Sequence, residues 1–534
     1  MAKKVAIIGA GISGLGSIKN ALDAGLEPTA YERDSWIGGI WRFTEDDRST
    51  VQKSTILNTS KHFSCFSDFP IPKDMPNYLP ADLYQRYLEN YAEKFDLTKR
   101  IRFNHRIEKI KKSEDYEDTG RWEVHYVDER AENKEVVAVV YDFVMVCSGV
   151  YSQPYIPDIP SIKEFTGEII HSKKYKTFKG FEGKRVLVVG LGNTAGDIAC
   201  ELSRHAAQVY ISTRRGAWIL PRLSTGGQPI DMYGFRRSIN SIPKKVRSWL
   251  FEAKIKSIYN LANFGLEPVD NPGVQFAVIN DELPHRIVVG SIIVKDEIDY
   301  FKEKQVFFKD GNHIDAIDTV IFATGFNTQC PVLPASMFKP NQSHQFYKAV
   351  FSPELSKPTL AVIGCFRVKG PVLPLTELQA RWAVQVFNGE CILPNKEEMN
   401  KDILAFQYHD KMEKYGKASS VKFLINSYID YMDDVASLIG AKPNLWKMFF
   451  QDPGFAIKCF FGPCIPAQYR LVGPHPWSGA RKVIEDVEDS IRTPLRTRTV
   501  VEHQSSKSAA RRFLNWILLA LFVLVVGMFL LKVK

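Results

Sequence analysis

The chain has 534 residues, 45% of them hydrophobic, which is enough for roughly three globular domains of about 150 residues each. Its 70 basic and 60 acidic residues leave a formal net charge of +10, and because no zinc-ligand spacing, RNP-like aromatic motif or basic heptad helix accompanies this mild excess, we expect no nucleic-acid partner. The eight cysteines are scattered without a CxxC pair, so we expect buried free thiols in a reducing compartment and no metal site.

The first predicted element is a buried strand at Val5–Ile8, followed by the pattern GxGxxG at residues 9–14 and a helix. In such a βαβ unit the first glycine permits a tight turn, the second lets the backbone approach a pyrophosphate, and the third lets helix and strand pack closely. The second strand ends at Glu32, 21 residues after Gly11, near the position of the carboxylate that accepts a ribose 2′-hydroxyl. The unit predicts a dinucleotide site, whereas the glycine pattern alone would also fit a coincidental turn.

Two loop motifs follow this unit. GGIWRF pairs two glycines with Trp41, which lets backbone lie against a flat ligand; the alternative is an ordinary turn with a core tryptophan. NTSK begins at Asn58, whose amide both donates and accepts hydrogen bonds; the alternative is a local Asx turn. Further on, we predict a helix over residues 81–95 and short strands over 101–127.

Two similar strands are predicted at residues 141–149 and 318–325, with the sequences YDFVMVCSG and DTVIFATG. Each combines an acidic residue, an apolar β-rich core and a glycine exit. In flavoproteins with two dinucleotide sites, such strands mark where the chain passes between domains. We therefore expect both to lie close to bound nucleotides.

A second βαβ unit lies between those strands. Its first strand, at residues 185–190, leads into GxGxxA, an allowed form of the same fingerprint. The next strand leads to Arg214, 22 residues after Gly192, where an NAD site would carry an acid. Because an arginine binds a 2′-phosphate through charge-assisted hydrogen bonds, we expect NADPH here. The alternative is a solvated surface arginine.

Residues 216–290 lack the strand and helix alternation of a doubly wound sheet. Within them, Lys244–Phe264 is predicted to be a basic amphipathic helix. Its apolar positions at helical spacing are Phe251, Ile255, Ile258 and Ala262. Such a helix rests on an anionic membrane face or packs on the body with a solvated basic side, and the sequence leaves both open. Beyond it, a helix is predicted to begin in residues 371–382, and 387–431 to be largely helical.

The C-terminal segment Phe513–Leu531 is apolar over 19 residues except for Asn515 and is flanked by basic residues. This length matches the roughly 30 Å of bilayer hydrocarbon. We predict a transmembrane tail anchor, with the catalytic body in the cytoplasm because the upstream flank is the more basic. A buried C-terminal helix is the alternative, which the aliphatic character of nearly every face disfavours.

These motifs together resemble the flavin-containing monooxygenases of the endoplasmic reticulum. The specific marker is FxGxxxHxxxY, formed by Phe165, Gly167, His171 and Tyr175 ahead of the second glycine loop. Classical Baeyer–Villiger enzymes look similar but end this motif with Trp-Pro, where this chain has Tyr175 and Lys176. The likeness covers essentially the whole chain, and we interpret Phe165 and His171 as scaffold between domains.

The resemblance implies an α/β fold with two Rossmann-like dinucleotide-binding domains, for FAD and NADP, the second inserted in the first, plus a helical insertion and a C-terminal transmembrane helix. The ranges that follow are 1–153 and 326–445 for the FAD-binding domain, 154–215 and 291–325 for the NADPH-binding domain, 216–290 for the helical insertion at the substrate entrance and membrane surface, 446–510 for a C-terminal extension, and 511–534 for the tail anchor.

The resemblance also implies the site residues. Those expected to hold FAD are Gly9, Ala10, Gly11, Ile12, Ser13, Gly14, Glu32, Gly39, Ile40, Trp41, Asn58, Thr59 and Gln379. Those expected to hold NADPH are Gly192, Asn193, Thr194, Ala195, Gly196, Asp197, Thr213 and Arg214. Asn58 is similar to the family asparagine that faces flavin and nicotinamide, and is the one residue assigned a catalytic role.

The implied function is NADPH- and O2-dependent oxygenation of soft nitrogen or sulfur atoms in small lipophilic compounds (xenobiotics), through a C4a-hydroperoxyflavin. Baeyer–Villiger oxidation of ketones, an NADPH oxidase that releases hydrogen peroxide, and a membrane-tethered protein that keeps the nucleotide folds for structure only are the alternatives. We expect an endoplasmic reticulum membrane location. The sequence leaves the substrate and the oligomeric state, including a homo-oligomer, open.

Overall fold

The computed structural model of the chain describes residues 2–224, 226–270, 275–327, 332–333, 337, 346–409 and 424–498. The predicted tail anchor at 511–534 and Cys330 lie outside this part. Within it, no helix is long and apolar enough to cross a membrane. The described cysteines are free, and all but the partly buried Cys391 are buried, as predicted.

The strands are short. In chain order they are β1 Lys4–Ile8, β2 Glu27–Glu32, β3 Ile101–Phe103, β4 His105–Lys112, β5 Trp122–Asp128, β6 Val136–Tyr141, β7 Phe143–Val146, β8 Gln153–Pro154, β9 Glu168–His171, β10 Arg185–Val189, β11 Gln208–Ser212, β12 Trp218–Leu220, β13 Ala277–Ile279, β14 Ile292–Lys295, β15 Ile298–Lys302, β16 Gln305–Phe308, β17 His313–Ile314, β18 Thr319–Phe322, β19 Phe326–Asn327, β20 Leu360–Val362, β21 Arg367–Val368 and β22 Leu424–Ile425.

The helices, numbered separately, are α1 Ile12–Asp23, α2 Ala81–Lys94, α3 Tyr116–Thr119, α4 Asn193–Leu202, α5 Asp231–Gly234, α6 Arg237–Asn240, α7 Lys244–Lys256, α8 Leu283–Val288, α9 Leu373–Phe387, α10 Lys396–His409, α11 Tyr428–Leu438, α12 Leu445–Gln451, α13 Pro453–Phe461, α14 Ala480–Glu485 and α15 Val487–Arg492. Short 3₁₀ turns lie between them, among them Gly39–Trp41 and Leu261–Phe264.

The first parallel sheet has the strand order β20-β7-β1-β2-β3. Its central strands are apolar on both faces, and all four residues of β7 are buried, as expected where helices cover both sides of a parallel sheet. Helices α1 and α9 pack on each other beside it. The edge strand β20 begins at residue 360, after the strands of the second sheet, whereas the other four strands precede them in the chain. The second sheet is therefore inserted in the sequence of the first.

The second parallel sheet has the order β14-β11-β10-β18-β9. The two predicted glycine-exit strands contain β7 of the first sheet and β18 of the second. Strands β1 and β10 therefore occupy equivalent central positions, each flanked by one of the two. An α/β fold with two Rossmann-like sheets is thereby confirmed.

Residues 216–290 contain short helices and the parallel pair β12 and β13. The predicted helix over Lys244–Phe264 is wrong at its end, because α7 stops at Lys256 and a separate 3₁₀ turn follows. Ile255 is buried as expected, whereas Ile258 and Ala262 are exposed. Leu261 takes the core position instead. The described part of 387–431 is helical in α10 and in the start of α11.

Candidate functional site

Both glycine loops are built alike. Gly9 has φ +105° and Gly190 has φ +103°, in the left-handed region that glycine alone adopts readily. A Cβ added at Gly9 would lie 2.8 Å from the carbonyl oxygen of Cys147, and one at Gly190 would lie 2.8 Å from that of Ala323. The first loop thus turns directly beside the C-terminal end of β7, and the second beside that of β18. Neither Gly9 nor Gly190 tolerates a side chain.

Two pairs of glycines lie in close contact at the first loop. A Cβ at Gly14 would meet the carbonyl oxygen of Gly9 at 1.9 Å, and one at Gly39 would meet the Cα of Gly11 at 3.2 Å. Helix α1 begins at Ile12 with Gly11 as its N-cap, and no side chain caps it. Such an uncapped helix start, beside bare backbone, is where a pyrophosphate binds.

Glu32 lies at the end of β2 and is buried. Its Oε2 accepts the N–H of Ala10 at 2.7 Å and its Oε1 accepts the N–H of Asp34 at 3.0 Å. Burial raises the pKa of Glu32, although the two N–H donors favour the charged form. The carboxylate therefore fixes the glycine loop as well as standing where a ribose hydroxyl would bind.

The Gly39–Trp41 turn lies against the same loop. The N–H of Gly38 donates to the carbonyl of Ala10 at 3.0 Å. The ring of Trp41 packs edge-on against Tyr84 of α2, with 4.6 Å between centroids. The carbonyl of Ile40 accepts the N–H of Val51 at 2.9 Å, which ties this turn to the segment leading to residue 58.

Gln379 lies behind the first loop rather than on its surface. It is on α9 and is completely buried. Its Oε1 accepts the N–H of Gly364 at 2.9 Å, and a Cβ at Gly364 would lie 2.4 Å from the Oγ of Ser13. Gln379 thus positions the backbone that faces Ser13.

The second loop is more open. Nothing lies within 4 Å of a Cβ built at Gly192, and Thr194 and Arg214 are exposed while Thr213 is half-buried. Ala195 and Gly196 are buried in the start of α4. The loop and the end of β11 therefore leave room for a nucleotide, with the Arg214 cation at the position expected for a 2′-phosphate.

Two side chains of the second loop face the 216–290 segment. Asn193 Oδ1 accepts the N–H of Ile279 at 2.8 Å, and Asp197 Oδ1 accepts Asn280 Nδ2 at 3.1 Å. Burial raises the pKa of Asp197 to about 6. In the structure, Asn193 and Asp197 therefore connect α4 to residues 279–280. Their assignment as NADPH ligands stays a prediction.

Asn58 contacts a buried arginine. Arg222 Nη2 donates to Asn58 Oδ1 at 3.1 Å, and Arg222 also pairs with Asp281, its Nη1 lying 2.8 Å from Oδ2. Asp231 Oδ2 accepts the N–H of Ser60 at 2.5 Å, and burial raises the pKa of Asp231 to about 6. The alternative prediction for Asn58 is an Asx turn, in which its Oδ1 would accept from a nearby backbone N–H. In the structure its Oδ1 accepts from Arg222 instead.

Thr59, the neighbour of Asn58, hydrogen bonds to Ser64, with 2.7 Å between the two hydroxyl oxygens. This contact stays within the loop. Thr59 therefore stabilises the local turn in the structure, and its assignment to FAD stays a prediction.

The fingerprint residues form scaffold contacts. His171 Nε2 lies 2.9 Å from the carbonyl oxygen of Gly325, and its Nδ1 accepts the N–H of Lys173, so the ring is a neutral Nε2–H tautomer. Burial lowers the pKa of His171 accordingly. Tyr175 donates to Glu201 Oε2 on α4 at 2.6 Å.

The residues that sequence reasoning missed are Arg222, Asp231, Asn280 and Asp281. Asn280 and Asp281 begin the sequence NDELP, in which no motif indicates a role. Arg222 and Asp231 carry no local signal, because Asn58 and Ser60, which they contact, lie more than 160 residues away.

The first loop fits FAD and the second fits NADPH by the same test: each offers a helix start beside backbone that a Cβ would obstruct. A buried carboxylate follows the first loop and an exposed arginine follows the second. A carboxylate at this position accepts a hydrogen bond from a ribose 2′-hydroxyl, whereas an arginine binds a ribose 2′-phosphate.

Comparison with known proteins places the chain. The family model described as flavin-binding monooxygenase-like matches residues 2–532. N-oxide-forming dimethylaniline monooxygenase 2 of Rattus norvegicus is 45% identical over 524 residues, covering 96% of each chain. Flavin-containing monooxygenase 2 of Homo sapiens is 42% identical over 510 residues, covering 94% of each.

Solved structures are similar in fold. S-allyl-L-cysteine S-oxygenase from Allium sativum has a TM-score of 0.62 at 22% identity, covering 91% of this chain and 99% of that one. Cyclohexanone monooxygenase from a Rhodococcus species, bound to NADP+, has a TM-score of 0.61 at 16% identity, covering 82% and 98%. At these identities the likeness shows a shared fold.

Proposed function

Because the chain belongs to the flavin-binding monooxygenase-like family, we propose that it oxygenates nitrogen or sulfur atoms of small lipophilic compounds. It is a flavin-dependent monooxygenase, an oxidoreductase whose cofactors are FAD and NADPH. In the proposed reaction, substrate, O2, NADPH and a proton give the N- or S-oxide, water and NADP+. The observation that carries the proposal is the presence of two complete nucleotide loops in one chain that aligns end to end with N-oxide-forming relatives.

FAD supplies the redox and oxygen chemistry when it is bound, so the protein needs no nucleophile of its own. The chain's residues bind and orient the two nucleotides. In this proposal the 9–14 loop, Glu32 and the Gly39–Trp41 turn hold FAD, and the 192–197 loop with Arg214 holds NADPH.

Asn58 is the residue to which we assign a catalytic role. Its Oδ1 accepts a hydrogen bond from Arg222, which leaves its Nδ2 to donate one to a reactant. An amide donor at a dry site stabilises developing negative charge and keeps reactants in register.

The test compares Asn58→Ala with Asn388→Ala, a surface control whose Nδ2 donates to the carbonyl of Ala24 at 3.0 Å. With N,N-dimethylaniline as the probe, Asn58→Ala is expected to keep its FAD and lose N-oxide, while NADPH oxidation continues with release of hydrogen peroxide. Asn388→Ala should match the wild type. Undiminished N-oxide from Asn58→Ala would remove this residue from the reaction.

The products of the wild-type enzyme distinguish the proposed reaction from its alternatives. N-oxide formed in proportion to NADPH consumed supports the proposal. Lactone or ester formed from a ketone, with no N-oxide, would point to Baeyer–Villiger oxidation. Hydrogen peroxide as the sole product would point to an NADPH oxidase.

For location, we propose a tail anchor in the endoplasmic reticulum membrane with the body in the cytoplasm. The support is the 19-residue apolar stretch in the sequence and the outer surface of α7. That surface exposes Val246, Trp249 and Leu250 beside Lys244 and Lys245. Apolar side chains flanked by lysines suit an anionic membrane face.

Truncation after residue 510 tests the anchor. The truncated chain is expected to leave the membrane at high salt, whereas the full chain should resist alkaline carbonate. Trp249→Glu in the truncated chain should lower the remaining affinity for anionic vesicles. Release of the full chain by carbonate would overturn the anchor.

A further inference from the structure

Arg222 is a buried residue that follows β12, and its guanidinium reaches across to the loop that carries Asn58. Its Nε donates to the carbonyl of Leu57 at 3.0 Å, and its Nη2 donates to the carbonyl of Ile56 at 3.2 Å and to Asn58 Oδ1 at 3.1 Å. One side chain therefore contacts three consecutive residues of the loop.

This contact determines which way the amide of Asn58 points. An asparagine carries an acceptor at Oδ1 and donors at Nδ2, and the two ends exchange by a flip of the amide. A guanidinium has only donors, so it donates to the oxygen end of the amide and repels the NH2 end. The Asn58 amide consequently has a single favourable orientation, with its donor end turned away from Arg222.

We infer that Arg222 is a positioning residue that fixes the Asn58 amide for the oxygenation reaction. Arg222 acts through Asn58 and does not itself contact a reacting atom in this scheme. The inference rests on the proposed function, because it assigns the Nδ2 donor of Asn58 to that reaction.

Asp281 in turn fixes Arg222. Its Oδ1 accepts the backbone N–H of Arg222 at 2.8 Å, and its Oδ2 accepts Nη1 at 2.8 Å. All three nitrogens of the guanidinium thus donate, to one carboxylate oxygen and to three oxygens of the 56–58 loop. A buried planar fork with this many partners has little freedom to rotate.

The residues just before Asp281 contact the second nucleotide loop. Ile279 donates its N–H to Asn193, and Asn280 donates its Nδ2 to Asp197. A continuous series of contacts therefore runs from the start of α4 through 279–281 and Arg222 to Asn58. The segment that contacts the start of α4 is therefore the one that holds Arg222 against the Asn58 loop.

The experiment uses the full-length holoenzyme with FAD, and compares Arg222→Gln with Arg204→Gln. Arg204 is a matched control, since it pairs with Glu282, the neighbour of Asp281, but at an exposed position without contact to the 56–58 loop. The first readout is the ratio of hydrogen peroxide to N-oxide per NADPH. We expect Arg222→Gln to raise it by about tenfold or more, the factor that loss of one charge-assisted hydrogen bond corresponds to.

A double-mutant cycle separates positioning from general stability. If Arg222 acts through Asn58, Arg222→Gln in an Asn58→Ala background changes neither the N-oxide that remains nor the rate of peroxide release per bound FAD. Additive effects would overturn the inference. Asp281→Asn, at a partly exposed carboxylate, is the second variant should Arg222→Gln not fold, and it is expected to raise the ratio in the same non-additive way.

The second readout needs no turnover. Backbone hydrogen exchange over residues 56–60 is expected to be faster in Arg222→Gln and unchanged in Arg204→Gln. Unchanged exchange in Arg222→Gln, or a peroxide ratio equal to the wild type, would overturn the inference. If the wild type forms no oxygenated product at all, the proposed function fails, and exchange at 56–60 still decides whether Arg222 orders the loop.

Discussion

Replacing Glu32 by glutamine should weaken FAD binding. The carboxylate accepts two backbone N–H groups, from Ala10 at 2.7 Å and Asp34 at 3.0 Å, and it is buried. A glutamine offers one acceptor and an NH2 group, so one of the two N–H donors would face another donor. A buried donor left without an acceptor costs about 1 to 3 kcal/mol.

That cost falls on the conformation of the glycine loop that is predicted to bind the pyrophosphate. We therefore expect the Kd for FAD to rise by roughly 10- to 100-fold, before any loss of the ribose hydrogen bond is counted. The assay is titration of the apoenzyme with FAD, followed by quenching of flavin fluorescence. Glu27→Gln, at the exposed start of the same strand, is the control and should bind like the wild type. A Kd unchanged by Glu32→Gln would refute the reasoning.

Further predictions concern three other positions. Arg214→Ala should raise the KM for NADPH at least about tenfold while changing that for NADH little, as steady-state kinetics would show; equal changes would contradict a 2′-phosphate contact. Gly14→Ala should yield colourless protein, because its Cβ would lie 1.9 Å from the Gly9 carbonyl oxygen. Since burial raises the pKa of Asp231 to about 6, from an ordinary value of 3.8, the folded wild type loses stability as pH rises through that range. Asp231→Asn avoids this loss, so its unfolding free energy relative to the wild type should increase by about 1 kcal/mol between pH 5 and pH 8, and a difference independent of pH would contradict it.

The nucleotide loops could be predicted because their determinants are local. A glycine with φ near +105° and a helix start three residues later follow from residues 9–14 alone. The predicted strands at both loops agree with β1 and β10 to within a residue. The buried free state of the described cysteines could also be predicted, because scattered cysteines without a CxxC pair are typical of thiols in a reducing compartment.

The end of α7 could not be read from periodicity. Ile258 and Ala262 continue the helical spacing of Phe251 and Ile255, but the chain leaves the helix after Lys256. Asn260 adopts an extended conformation, and Leu261 then packs into the core. Burial of one side chain from the next turn therefore outweighed the regular pattern, which is a tertiary effect that a single window of sequence does not contain.

The surroundings of Asn58 were hidden for a different reason. Its contact with Arg222 joins residues 164 positions apart, and that of Ser60 with Asp231 joins residues 171 apart. Both partners belong to the 216–290 segment, which the sequence presents as an irregular insertion. The NTSK motif predicts Asn58 as the acting residue, but the residues that contact it are known only once the fold brings them together.

We propose a second role for the 216–290 segment, besides its predicted one at the substrate entrance. It contacts the second nucleotide loop through Ile279 and Asn280, and the Asn58 loop through Arg222 and Asp231. Reactions between two bound groups are sensitive to misplacement of about 1 Å, which can cost 100-fold in rate. A segment that bonds to both loops keeps their separation constant, so substitutions at these four contacts should impair coupling of NADPH oxidation to product even when each nucleotide still binds.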